Sequence, residues 1–207
     1  MGVDWVQGWN PKYEKAVEIH SVWGSSERHR EDGNIMPIQH ANGEIRGRHV
    51  VDALKMGYRL GFVGGGDIHD GRPGDQLQNE SYPPSPARMW PGGYTAAFVP
   101  SLTRDAVFDA IKNRQTYATT QTRIYLDAAF GGAKGNHTLD ITAASEEGIR
   151  ETAIIVNAES VRQIQPDADK RILIKGGIPV PMGPGDFCYV RVTTEKNNMA
   201  WSSPCWA

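Results

Sequence analysis

The sequence is poor in several things. It holds two cysteines, Cys188 and Cys205, too few for the multi-disulfide framework of a small secreted scaffold. One bridge between the two stays open, and the cellular compartment with it. There is no excess of positive charge: 22 Lys and Arg face 24 Asp and Glu, a formal net charge of -2. A nucleic-acid binder usually carries a basic excess or a basic face, so no nucleic-acid partner is expected. No uninterrupted apolar run approaches the roughly 18 residues of a transmembrane helix, so no membrane span is expected. Met1–Asn10 carries Asp4 and lacks the basic start of a signal peptide; cytoplasmic and exported locations both stay open.

Turns, by contrast, are plentiful. Gly (23) and Pro (13) together exceed the roughly 25 that an average chain of this length would hold. That disfavours a helical bundle and suits a loop-rich enzyme or a turn-rich β domain. The excess concentrates in residues 64–93, where Gly64-Gly65-Gly66 is followed by a long stretch punctuated by Gly and Pro. Loops of this length are usually functional or disordered.

Along the chain, Ala16–Ser21 reads as a strand on which Glu18 and His20 share one face. Residues 28–47 are polar and irregular, and His29, His40 and His49 read as surface histidines. A helix is predicted over 48–56 with Gly57 as its stop, then a buried strand over 58–63 that runs into the glycines. Tyr94–Val99 reads as a strand. Thr103 reads as the N-cap of a helix to about Asn113, with Leu102 and Val107 as a hydrophobic staple. From Arg123 the pattern is nearly all β, with strands predicted over 124–130, 138–143, 152–156, 161–165, 171–175, 187–193 and 199–206. A boundary near residue 120 is therefore expected. Residues 1–120 read as a piece of a parallel α/β sheet or barrel, and 121–207 as a small antiparallel β-sandwich.

The sharpest chemical feature is Asp67-Ile68-His69, which ends a strand after three glycines. Two positions apart in extended chain, the carboxylate and the imidazole point the same way, beyond the C-terminal end of the strand, where α/β proteins place their sites. Glycine allows close backbone approach. Asp with His suits a divalent zinc, manganese or iron, although the same residues also serve a purely structural turn. Glu18, on a neighbouring strand, can point into the same mouth, or can simply belong to the polar face of an edge strand.

The segments VEIHSVWGSSE (17–27) and ALKMGYRLGFVGGGDIHDGRPG (53–74) are similar to a poorly characterised bacterial branch of the polymerase-and-histidinol-phosphatase (PHP) superfamily of metal-dependent phosphoesterases. The resemblance continues through residues 92–96, 102–111, 114–120, 189–192 and 200–204, and so covers most of the chain. It implies a distorted β/α barrel with metals at the strand C-termini, acting on a small-molecule phosphoester. Asp67 and His69 match the metal ligands of the superfamily's last motif. Glu18 matches a ligand or a group that orients ligands. His20 is placed as a substrate-binding group or a substitute ligand. Arg72 is placed where its forked guanidinium could steady a phosphate, or pair with Asp70 or Asp75. The superfamily's opening H-x-H pair, its middle histidines and its bridging glutamate have no counterpart in the sequence. A whole barrel takes roughly 200–250 residues, so the expected fold is a partial PHP-like barrel, resembling the C-terminal portion of such proteins, followed by the β-sandwich. Two readings stand beside the hydrolase: a non-catalytic module whose β part contacts a partner or carbohydrate, its tryptophans supplying aromatic surface, and a fragment without independent function.

Overall fold

A computed structural model describes residues 3–39, 43–67, 90–133, 135–166 and 169–207. The first strands are β1 (Ala16–Ser21), β2 (Gly24–Ser25) and β3 (Gly61–Gly64), with helix α1 (Val50–Lys55) between the last two. They form a small sheet in the order β2-β1-β3, in which β1 and β3 run parallel. Next come β4 (Gly93–Ala97), helix α2 (Arg104–Lys112) and β5 (Thr116–Thr120). The rest is β: β6 (Tyr125–Ala133), β7 (Asn136–Ala144), β8 (Ile149–Val156), β9 (Glu159–Ile164), β10 (Ile172–Val180), β11 (Phe187–Thr194), β12 (Met199–Ser202) and β13 (Cys205–Trp206).

The second sheet has the order β4-β5-β12-β11-β8-β9, with β13 also paired to β11, and the third has the order β10-β7-β6. The second sheet forms the centre of the molecule, because both of its faces are buried. On β8, Ile154 and Val156 enter one core while Ala153 and Ile155 enter the other. On β11, Cys188, Val190 and Val192 alternate in the same way with Phe187 and Tyr189. The first core is closed by Leu126, Leu139, Ile141 and Leu173 from the third sheet. The second is closed by Ile19, Val50, Leu54 and Phe62 from the β1/β3 sheet and α1. Strands covered on both faces need continuous apolar runs rather than alternation, and β8 and β11 carry such runs at Ala153–Val156 and Phe187–Val190.

These layers correct the expected architecture. Among the described residues there are two α-helices and three sheets, and no barrel forms. The first part of the chain does not wind a partial β/α barrel. It supplies one βαβ unit that caps the central sheet, and its β4 and β5 enter that sheet beside β12. The central sheet thus runs across residue 120. The third sheet does pack on the second as a sandwich, but the second is shared with the β1/β3 layer.

A buried polar knot joins the layers. Glu27, in the turn after β2, accepts hydrogen bonds from Trp201 Nε1 (2.9 Å), Tyr189 Oη (2.6 Å), Arg28 Nη2 (3.0 Å) and Arg191 Nη1 (3.0 Å to each oxygen). Burial pushes its carboxyl up, but Arg191, Arg28 and the two neutral donors outweigh burial and hold it at about 2.

Local capping followed the sequence in part. Thr103 Oγ1 accepts from the Ala106 amide at 3.2 Å, as an N-cap should. The staple does not form, since Leu102 is 91% exposed.

Candidate functional site

Strand β1 ends beside β3, and the chain leaving β3 passes Gly65 and reaches Asp67. A pocket of about 370 Å3 opens there, lined by Glu18, His20, Trp23, Arg48, His49 and Asp67 among others. A register irregularity between Glu18 and His20 lies inside this pairing, and bulges of this kind re-aim side chains next to sites.

Glu18 is held by a close approach to glycine. A Cβ on Gly65 would stand 2.1 Å from Glu18 Oε1, so only glycine leaves room for that carboxylate. The residue keeps access to solvent at the pocket mouth, yet the protein packed around its carboxyl group desolvates it, and the Asp67 charge adds to that effect. Together they raise Glu18 from 4.5 to about 7. Asp67 has φ 44, a left-handed conformation uncommon for residues other than glycine and more tolerated by Asp.

His20 is buried, with its ring stacked on Trp201 at a centroid distance of 5.8 Å. Its Nε2 lies 2.9 Å from the Pro91 carbonyl oxygen and must be the donor, since that oxygen only accepts. The neutral ring therefore carries its lone pair on Nδ1, and Nδ1 is buried without a hydrogen-bond partner. Burial lowers His20 from 6.5 to about 4, only partly offset by the bond to Pro91, so the ring is neutral at physiological pH.

Of the residues expected at the site, Glu18, His20 and Asp67 are brought to one pocket. His69 and Arg72 lie outside the described residues, as does His40. Among the described residues no group of three His, Cys, Asp or Glu side chains is gathered closely enough to hold a metal ion.

Of the histidines read as surface groups, His49 is buried and His29 is half-buried. His49 is 4% exposed at the start of α1, with Nε2 3.5 Å from Glu44 and Nδ1 3.5 Å from Asp52. His29 Nε2 faces the other oxygen of Glu44 at 3.9 Å, and Arg30 Nε donates to that oxygen at 2.7 Å. Arg48, on the pocket wall, was not singled out from sequence. Nothing in its local pattern distinguishes it from an ordinary residue leading into a helix.

The molecule's larger cavity, about 840 Å3, lies elsewhere, beside β4, β5 and β6, with Tyr94, Tyr117, Tyr125, Arg123 and Arg171 on its walls. Size does not decide between the two. The smaller pocket gathers two carboxylates and a neutral imidazole, whereas the larger one holds Glu146 and Asp169 but no histidine.

A family model described as "Protein of unknown function (DUF3604)" matches residues 77–153. An uncharacterized protein of Chlamydia trachomatis serovar D is 32% identical over 95% of this chain and 35% of its own length. One of Chlamydia pneumoniae is 32% identical over 95% of the chain and 34% of its own length. One of Chlamydia muridarum is 30% identical over 97% of the chain and 35% of its own length. The chain thus spans about a third of the length of these curated relatives. No solved structure matches it significantly. No helix among the described residues is long and apolar enough to cross a membrane.

Proposed function

We propose that the pocket between β1 and the end of β3 is part of a divalent-metal site in a hydrolase of the PHP type, acting on small phosphoesters. The observation that carries this reading is His20, a residue of the pocket lining: its one N–H is committed to a backbone carbonyl, and its lone pair is buried without a partner. Metal-binding histidines are commonly arranged in this way, with the second ring nitrogen fixed by a carbonyl or carboxylate. The donor types also suit a divalent ion, although the three side chains are not gathered to coordination distance in this structure. Desolvation, with the Asp67 charge adding to it, raises Glu18 to about 7, and a cation between the two carboxylates would relieve the repulsive part.

Glu18, His20 and Asp67 would hold the ion, with His69 of the same motif as a further ligand. A bound divalent metal supplies charge neutralisation at a phosphoryl oxygen and a water acidic enough to act as a nucleophile near neutral pH. The chain's own contributions are positional. Gly65 keeps the Glu18 carboxylate at the pocket mouth, the Pro91 carbonyl fixes the His20 tautomer, and Arg48 offers a guanidinium to a phosphate oxygen. Zinc, manganese and iron all suit this mixture of nitrogen and oxygen donors.

The test is metal titration of chelator-treated protein, with turnover of an aryl phosphate ester as the second readout. Saturable binding that is lost in Asp67→Ala, His69→Ala and His20→Ala supports the site. Equal metal content in wild type and all three variants sinks it.

A second reading rests on the larger cavity. Three tyrosines and two arginines around an open groove suit stacking and hydrogen bonding to a sugar, which would make the β part a binding module. Saturable binding to a glycan panel that is indifferent to chelator, and lost in Tyr125→Ala, would favour it.

A further inference from the structure

Cys205 on β13 and Cys188 on β11 stand directly opposite one another in the antiparallel pairing of these strands. Residues opposed in this way keep their Cα atoms roughly 4.5–5.5 Å apart and point to the same side of the sheet. Protein disulfides span Cα separations of roughly 4.4–6.8 Å, so the register alone brings the pair within bonding range. The shared side is visible in the packing: Cys188 belongs to the core between the second and third sheets, and Cys205 packs against that same core. Both are free thiols in this structure.

We propose that Cys188 and Cys205 form an intramolecular disulfide site that ties β13 covalently to β11. The bond would matter most where it falls. β13 has only two residues, Cys205 and Trp206, and so short a strand has few ladder bonds of its own. Trp206 lies beneath two guanidinium groups, those of Arg59 and Arg114, each 5.8 Å from its ring centroid. Fixing β13 therefore also fixes Trp206 against the residues that lead into β3 and β5.

The chemistry balances with a low-molecular-weight disulfide such as oxidised glutathione as the oxidant. The Cys205 thiolate attacks one glutathione sulfur and expels the other as a thiolate, leaving a mixed disulfide. The Cys188 thiolate then attacks the Cys205 sulfur and expels the second glutathione thiolate. Two protein thiols are oxidised, one glutathione disulfide is reduced to two glutathiones, and the two protons from the protein end on them. Cys205 leads because it is partly exposed whereas Cys188 is fully buried. Burial pushes Cys205 up to about 12, and pushes Cys188 further with the help of its neighbour. Thiolate is scarce in the folded protein, so exchange there is slow and the pair is set during folding.

The experiment refolds the full chain from denaturant in reduced or oxidised glutathione, alkylates free thiols and records intact mass and melting temperature. The expected oxidised product is a monomer lighter by two hydrogens, with no alkylatable thiol. It should melt several degrees above the reduced protein, because an added cross-link restricts the unfolded chain. Cys205→Ser and Cys188→Ala should each keep one alkylatable thiol and show no oxidant-dependent rise. Two free thiols under the most oxidising condition, a stable glutathione adduct on Cys205 alone, a disulfide between two chains, or a disulfide that lowers the melting temperature would each overturn the assignment. None of these outcomes depends on whether the Glu18 pocket binds metal.

Discussion

Trp201 donates its indole N–H to Oε2 of Glu27 at 2.9 Å, across 174 residues of sequence. The same indole stacks on the His20 ring, with centroids 5.8 Å apart. One tryptophan of the central sheet thus connects the buried carboxylate that joins the layers to the imidazole of the candidate metal pocket.

Removing the carboxylate of Glu27 should be severely destabilising. Its partners Arg28 and Arg191 would keep their charges with no counter-ion in a dry environment, the situation that costs about 3–5 kcal/mol when one member of a buried pair is deleted. Glu27→Ala is expected to lose that much in urea unfolding at neutral pH. A loss below about 1 kcal/mol would show that the knot is not a structural joint.

The same residue sets an acid limit. Glu27 has a folded value of about 2 against an ordinary 4.5. A depressed carboxylate contributes stability that is fully present above its unfolded value and disappears as pH falls through its folded value. The contribution, about 3 kcal/mol, should therefore fade between pH 4.5 and about 2. Equilibrium unfolding of wild type and Glu27→Gln across this window should show the wild-type advantage shrinking as pH falls. A constant difference would contradict it.

Glu18 and His20 should oppose each other in metal-free protein. Glu18 is raised from 4.5 to about 7, so the folded state holds its proton more tightly, and stability falls as pH rises through that window. His20 is lowered from 6.5 to about 4, so stability rises with pH between those values. The two slopes offset one another between about pH 4.5 and 6.5. In chelator, Glu18→Gln should unmask a stability that climbs with pH, and His20→Asn one that declines. Parallel pH profiles for wild type and both variants would refute the placement of these groups.

How much of this was legible depended on whether local chemistry or tertiary cover decided the outcome. Strand Ala16–Ser21 and the Thr103 cap are local, and both appear as expected. The strands after residue 123 announce themselves by β-branched runs between turns. Strand β5 escaped notice because Thr116-Tyr117-Ala118-Thr119-Thr120 looks polar, yet all five residues are buried. Its hydroxyls are satisfied inside the protein, Thr116 Oγ1 donating to the Phe62 carbonyl at 2.9 Å and Thr120 Oγ1 to Asn198 at 2.9 Å. The barrel expectation failed for a related reason. It rested on the family resemblance and on the strand-helix alternation of residues 1–120, and neither says that β1 and β3 form a separate layer while β4 and β5 join the central sheet. At the site, Glu18, His20 and Asp67 line one pocket because β1 and β3 pair in parallel and end side by side. No sequence signal disclosed that His49 would be buried against Glu44.

Gly65 offers the cleanest separation of site from fold. A Cβ at this position meets only the tip of the flexible Glu18 side chain, 2.1 Å away, so Gly65→Ala can be accommodated by swinging that carboxylate aside. At Gly64 a Cβ would stand 2.7 Å from the Tyr94 carbonyl oxygen, which belongs to the neighbouring strand and cannot move without breaking its pairing. Gly65→Ala is therefore expected to fold with a stability loss of about 1 kcal/mol or less, while Gly64→Ala loses several times more. If Glu18 helps to hold a metal, Gly65→Ala should also weaken binding about tenfold or more, since the displaced carboxylate no longer faces Asp67. Thermal melts paired with metal titration of the two variants decide it. Wild-type affinity in a well-folded Gly65→Ala protein would remove Glu18 from the ligand set.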